Sequence, residues 1–236
     1  MKTDHRSPIS IVVPVLNDVK ALACLLKTLQ SLRCGYEIVV VDGGSSDSSR
    51  QIAAQYPVRL IECQAQRAAQ MNAGAWAASG DWIAFLHADS KPDRRWVRAL
   101  SSITCLSDGW GFFEVSLDQS DGLLKLVERL MNLRSRITSI GTGDQCIFVH
   151  RRLFEKARGY PSQPLMEDVE LCKRLRKFSR PMFMDAPITT SSRRWQEKGV
   201  LRTVLLMWTL RLGYWLGVPP RKLARIYYPG ANITPS

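Results

Sequence analysis

An apolar run, Trp82-Ile83-Ala84-Phe85-Leu86, stops at His87-Ala88-Asp89, an imidazole and a carboxylate one residue apart. Uninterrupted apolar residues of strand length suit a strand buried on both faces of a parallel sheet. Ligands of such sheets bind beyond the carboxyl ends of the strands, the edge that the flanking helices leave open. Asp89 therefore stands where chemistry is expected. The competing reading is that Asp89, Ser90 and Pro92 only begin the next helix.

A second carboxylate, Asp42, ends the apolar segment Glu37 to Val41 and precedes Gly43-Gly44-Ser45-Ser46-Asp47. The glycines let a ligand approach the backbone, and the helix N-terminus that follows favours anions. Asp42 could accept hydrogen bonds from a ribose or a base, or the segment is a plain turn into a capped helix. Gly141-Thr142-Gly143-Asp144-Gln145 suits a loop that closes over substrate, or a surface turn. Glu167 and Asp168 open a helix, a placement that the macrodipole favours unaided. Arg193, Arg194 and Trp195 set guanidinium groups beside an indole, suited to gripping a diphosphate or stacking on a ring, or to a basic surface loop.

The elements that must carry these residues alternate. Ile9 to Val15 is a β-branched strand whose ladder Pro14 should break, and Asn17 and Asp18 are N-cap residues for a helix striped by Leu22, Leu25, Leu26, Leu29 and Leu32. The turn between them lacks Gly-x-Gly-x-x-Gly and Gly-Lys-Ser/Thr, which disfavours a dinucleotide site, a P-loop and a glycine-opened nucleotidyltransferase. A strand over Val58 to Cys63 leads to a helix, Gln66 to Ser79, rich in small residues and stopped at Gly80. A helix over Pro92 to Cys105, a strand over Gly111 to Leu117, and a helix over Gly122 to Arg136 follow. The apolar side of the last comprises Leu123, Leu126, Val127, Leu130, Met131 and Leu133. Strands are further expected over Cys146 to Val149 and Met182 to Asp185. The alternation predicts an α/β fold with a mainly parallel central sheet.

Val200 to Val218 is apolar nearly all round, but Arg202 and Arg211 interrupt it short of the roughly 20 residues that span a bilayer. It should dock on the domain, on a second subunit, or flat on a membrane with Arg221 to Arg225 at the headgroups. Residues 1–199 then form the main domain and 200–236 a helical extension. The 236 residues carry 33 basic and 21 acidic side chains, net +12, a field that attracts nucleotide diphosphates, nucleic acid or anionic lipid. Six cysteines form no Cys-x-x-Cys pair, so a structural zinc site is not expected. They and the missing signal peptide point to a reducing cytoplasm.

Taken in order, Pro14 to Asn17, then Asp42, Ser45 and Asp47, then Asp89, then Glu167 and Asp168 resemble the motifs of family 2 glycosyltransferases with the GT-A fold. The match runs from Ile9 to Trp195. More narrowly, the chain resembles a small stand-alone bacterial subgroup encoded near radical-SAM enzymes. The resemblance implies inverting transfer of a sugar from a nucleoside-diphosphate sugar to an acceptor hydroxyl, with a Mg²⁺ or Mn²⁺ cofactor. It makes Asp168 the general base, Asp89 a metal ligand with His87 beside it, and Pro14, Asn17, Asp42, Gly43, Asp47, Arg67, Asn72 and Ala88 the nucleotide site. Asp144, Gln145, Glu167, Arg193, Arg194 and Trp195 would meet the substrates. Where the family usually shows Asp-x-Asp, this chain has His87-Ala88-Asp89. The rival readings are a nucleotide-binding or regulatory protein without transfer activity, and a basic nucleic-acid module; no recognised zinc-finger or RNA-recognition motif supports the latter. A homodimer and a peripheral membrane contact, at the inner membrane, are further expectations.

Overall fold

The structure, a computed structural model, describes residues 7–119 and 122–228; the side chains of Arg194 and Lys198 lie outside that description. One seven-stranded sheet runs in the order β3-β2-β1-β4-β6-β5-β7. Its strands are β1 (Ile9–Val15), β2 (Glu37–Asp42), β3 (Arg59–Glu62), β4 (Trp82–Phe85), β5 (Trp110–Leu117), β6 (Phe148–His150) and β7 (Met182–Thr190). β1 pairs parallel with β2 and β4, and β2 pairs parallel with β3. β6 lies antiparallel to both neighbours, and β5 and β7 are parallel. The carboxyl ends of β1, β2 and β4 thus share one edge of the sheet.

The helices are α1 (Val19–Leu32), α2 (Ser49–Ala53), α3 (Arg67–Ala77), α4 (Arg94–Ser102), α5 (Gly122–Thr138), α6 (Arg151–Lys156), α7 (Glu167–Leu175), α8 (Arg193–Lys198), α9 (Val200–Trp215) and α10 (Pro220–Tyr227). Every residue of β4 is buried, and two apolar clusters cover the sheet, one built with Leu22, Leu25, Leu26 and Leu29 of α1, the other with Met71 and Ala75 of α3. Small residues let α3 approach: a Cβ on Gly74 would lie 2.4 Å from a Val12 methyl.

Several expectations are corrected. Pro14 does not break the ladder, since β1 stays in register with β2 through Val15. By the alternation of a strand, its missing N–H faces the β4 side, where β4 has already ended at Phe85. Asp18 makes no side-chain cap to α1; the Val19 N–H donates instead to Asp47 Oδ2 at 3.0 Å. Gly80 is not the stop of α3, whose C-cap is Ala78; it is where a Cβ would meet Ser10 N at 2.8 Å. β7 continues beyond Asp185 through Pro187, which an edge strand opposite a bulge tolerates. On α5, Leu123, Leu126, Leu130 and Leu133 face solvent, while Leu124 and Val127 are buried. The extension packs inward: Leu210 of α9 and Leu223 of α10 cluster with Met166 and Val169, and Tyr214 Oη donates to Glu170 Oε2 at 3.0 Å.

Candidate active site

At the ends of β1 and β2, side chains stitch two loops into one surface. Asn17, at a positive φ of 52°, accepts the Ser46 N–H on its Oδ1 at 2.8 Å, and its own N–H donates to Ser45 Oγ at 2.9 Å. Asp42 is fully buried; its Oδ2 accepts the N–H groups of Gly44 and Ser45 at 2.9 and 2.8 Å. Its Oδ1 is buried with no hydrogen-bond partner among the described residues. A buried carboxylate oxygen left unpaired is costly, so this atom is an acceptor in want of a donor. Gln70 donates through Nε2 to the carbonyls of Val15 and Val41, and a Cβ on Gly43 would press on that amide at 3.1 Å. Gln70 thereby clamps the two strand ends together.

Beyond β4, the Asp89 carboxylate is half-buried and makes no hydrogen bond or ion pair among the described residues. It does not cap α4: Asp93 does so, accepting the Trp96 N–H at 2.7 Å. No group of three His, Cys, Asp or Glu that could hold a metal occurs among the described residues. One free hard-oxygen ligand nevertheless fits a magnesium-type cation, which is commonly held by one or two carboxylates together with substrate phosphates. His87, expected beside Asp89 at the metal, lies against the 143 turn. Its Nδ1 lies 3.2 Å from Asp144 Oδ1, and its buried Nε2 faces Gly143, where a Cβ would lie 2.3 Å away.

The turn that His87 touches holds the acidic pair. Gly143–Gln145 form one 3₁₀ turn, capped by Thr142 and Gln145, and the Gly143 N–H donates to Asp168 Oδ2 at 3.1 Å. The Val169 N–H donates to Asp168 Oδ1 at 2.7 Å. Met166, left-handed at φ 64°, makes the sharp entry that sets Glu167 and Asp168 on the first turn of α7. Burial pushes the Asp168 carboxyl above its ordinary range; the two backbone donors and Arg67 oppose that shift, and Asp144 adds to it. Glu167 is likewise raised, by burial and then by Asp168, against the pull of Arg67. Arg67 Nε lies 4.0 Å from Glu167 Oε1. Desolvation in the crowded site would lower the pKa of the half-exposed Arg67, but Glu167, Tyr228, Asp144 and Asp168 together hold it above the usual arginine range.

Other expected residues are held by the surrounding chain. Asn72 spends both ends of its amide on the Tyr160 backbone, at 2.9 and 2.8 Å. Gln145 is buried, accepting from Ser135 Oγ at 2.7 Å and donating to the Phe113 carbonyl at 3.3 Å. Ala88 is nearly buried between His87 and Asp89, and Pro14 lies within β1. Arg193 reaches across to Asp18, Nη2 to Oδ2 3.6 Å, and Trp195 is half-buried on α8. Arg194 falls outside the described side chains. Gln70 and the Gly143 amide were not among the expected residues. The glycines of the 141–145 loop were the only signal for the latter.

Residues 10–102 match the model for Glycosyl transferase family 2. That segment holds Asn17, Asp42, Asp47, Arg67 and Asp89 and ends before the 143 turn and α7. A glycosyltransferase of Haloferax volcanii, AglE, is 33% identical over 107 residues, 41% of this chain and 35% of that protein. The chain thus spans about a third of that relative's length. Residues 1–349 of TarS from S. aureus superpose with a TM-score of 0.65 at 17% identity, covering 78% of this chain and 60% of that one. Glucosyl-3-phosphoglycerate synthase from Mycobacterium tuberculosis, solved with Mn²⁺, uridine diphosphate and phosphoglyceric acid, gives 0.62 at 18% identity, covering 90% and 80%. The chain shares the α/β GT-A fold of these structures, a mainly parallel central sheet flanked by helices.

Proposed function

We propose that the chain is an inverting, divalent-metal-dependent glycosyltransferase that moves a sugar from a nucleoside-diphosphate sugar to an acceptor hydroxyl. The observation that carries this reading is the Asp168 carboxylate, held by two backbone N–H groups and pushed up by burial, on the same scaffold as an unpaired Asp42 oxygen and a free Asp89. A base poised above the ordinary carboxylate range takes a hydroxyl proton more readily. Asp168 removes that proton while the acceptor oxygen bonds to the anomeric carbon. The bond from that carbon to the diphosphate breaks on the opposite face, so the configuration inverts and the nucleoside diphosphate leaves.

Asp42 Oδ1 takes a donor from the base or ribose, and the Asn17–Ser46 and Val19–Asp47 hydrogen bonds keep that surface in shape. Asp89 would hold a Mg²⁺ or Mn²⁺ ion, which when bound neutralises charge on the leaving diphosphate. His87 positions the 143 turn instead of ligating the ion. Glu167 and Arg67 set the charge around the base, and Arg193 lies on the same rim. The six free cysteines support a reducing, cytoplasmic setting. Membership of the bacterial subgroup encoded near radical-SAM enzymes, the division at residues 199/200 and a homodimer belong to the same proposal, and a nucleic-acid partner does not.

The direct test is Asp168→Asn. It should lower kcat by about 10²–10⁴-fold while donor binding, read by calorimetry, stays unchanged. Transfer at the unaltered rate would refute the base assignment.

A further inference from the structure

Helices α5 and α9 touch, and each leaves a full-length apolar stripe in solvent. On α5, Leu123, Leu126, Leu130, Leu133 and Ile137 recur at steps of three and four residues and are 45% to 74% exposed. On α9, Leu201, Leu205, Trp208, Leu212 and Trp215 recur in the same way and are 57% to 77% exposed. Neither helix lacks a docked face, because Leu124 and Val127 of α5 and Thr203 and Leu210 of α9 are buried. Each therefore has a second apolar face beyond what the core needs. Paired stripes of this length exceed the scattered apolar residues of an ordinary surface and mark a contact site.

Charge decides what covers them. From Gly199 to Ser236 the chain has five arginines and lysines and no aspartate or glutamate. Arg202 and Arg211 punctuate α9, and Arg221, Lys222 and Arg225 lie on α10. On α5, Lys125 and Arg129 are exposed on the flank of the stripe. The one acid of α5, Glu128, is turned to β5, where its Oε2 accepts the Leu117 N–H at 2.9 Å. A second copy seated on this surface by two-fold symmetry would bring these cations against their own counterparts. An anionic lipid surface complements them. No helix among the described residues is long and apolar enough to cross a membrane. A stripe of Leu and Trp bordered by Arg and Lys is the pattern of a helix lying in the interface plane. Trp208 and Trp215 are of the type that settles at headgroup depth.

We infer that the exposed faces of α5 and α9 bind the surface of an anionic phospholipid bilayer. Because Leu210 of α9 clusters with Met166 and Val169, that bound helix abuts the segment that carries Glu167 and Asp168.

The test is flotation of the full chain with phosphatidylcholine vesicles, with and without phosphatidylglycerol. The chain should float only with the anionic vesicles, salt should release it, and tryptophan emission should shift to the blue. Trp208→Ser with Leu212→Ser, and separately Leu126→Ser with Leu130→Ser, should each weaken partitioning by roughly tenfold or more. These side chains are exposed, so thermal unfolding should stay unchanged. No flotation, or equal flotation on both vesicle types, would overturn the inference. So would a dimer, seen by sedimentation, that the same substitutions dissolve. The readout is binding alone, so it stands apart from the transferase reading.

Discussion

His87 Nδ1 and Asp144 Oδ1 lie 3.2 Å apart, joining the end of the β4 segment to the turn whose Gly143 amide holds Asp168. The imidazole thus reaches Asp168 through the turn.

Gly143→Ala should be damaging although its backbone is not in the glycine-only region. The added Cβ would lie 2.3 Å from His87 Nε2, so either the imidazole or the turn must move. Overpacking of this kind costs about 1–3 kcal/mol of stability. Displacing the donor to Asp168 should cost about 10²-fold in kcat. Combining it with His87→Ala removes the clash, and the double variant should unfold at a higher temperature than Gly143→Ala alone. Unchanged kinetics in Gly143→Ala would detach the turn from the base.

The pH profile should carry the signature of the acidic pair. Burial raises Asp168 and Glu167 in the fold, so the folded chain holds those protons more tightly than the unfolded one. Their contribution to stability is full below the unfolded aspartate value of about 3.9 and is lost as pH rises through the raised folded value. With Asp168 as the proposed base, transfer needs it ionised, so kcat/KM should climb over that same window, above the ordinary aspartate range. Arg67→Met removes the cation that opposes the shift, and the acid limb should move further up. A limb that stays in place would mean that Arg67 does not govern the pair.

Asp42→Asn tests the buried oxygen. Asparagine can keep accepting the Gly44 and Ser45 amides on its carbonyl oxygen, so the fold should hold. Its NH₂ would replace the unpaired Oδ1 and turn an acceptor into a donor. Losing a hydrogen bond to a charged group is worth about 1.5–3 kcal/mol, so nucleotide affinity should fall by about ten- to a hundredfold. Equal affinity, measured by calorimetry, would place the nucleotide elsewhere.

What the sequence made legible was the frame. A β-branched run located β1, apolar runs leading to acids located β2 and β4, and their parallel alternation put Asp42 and Asp89 on one edge. The limits are equally physical. Leu126 and Leu130 sit on a helical stripe as regular as that of Leu124 and Val127, and periodicity cannot tell which stripe meets the core. Asn72 and Gln145 are polar side chains consumed by groups from other segments, the Tyr160 backbone for the one and Ser135 Oγ and the Phe113 carbonyl for the other. Gln70 was invisible for the same reason: its partners, Val15 and Val41, become neighbours only when the sheet forms. The role of Gly143 lies in an amide, which every residue type shares.

The most direct measurement is calorimetric titration of UDP, GDP, dTDP and CDP into the protein, with and without Mn²⁺, repeated on Asp89→Ala. One nucleotide should bind tightly, Mn²⁺ should strengthen the binding, and Asp89→Ala should abolish the metal-dependent part while leaving the fold intact. Failure of all four nucleotides to bind in either condition would contradict the transferase reading.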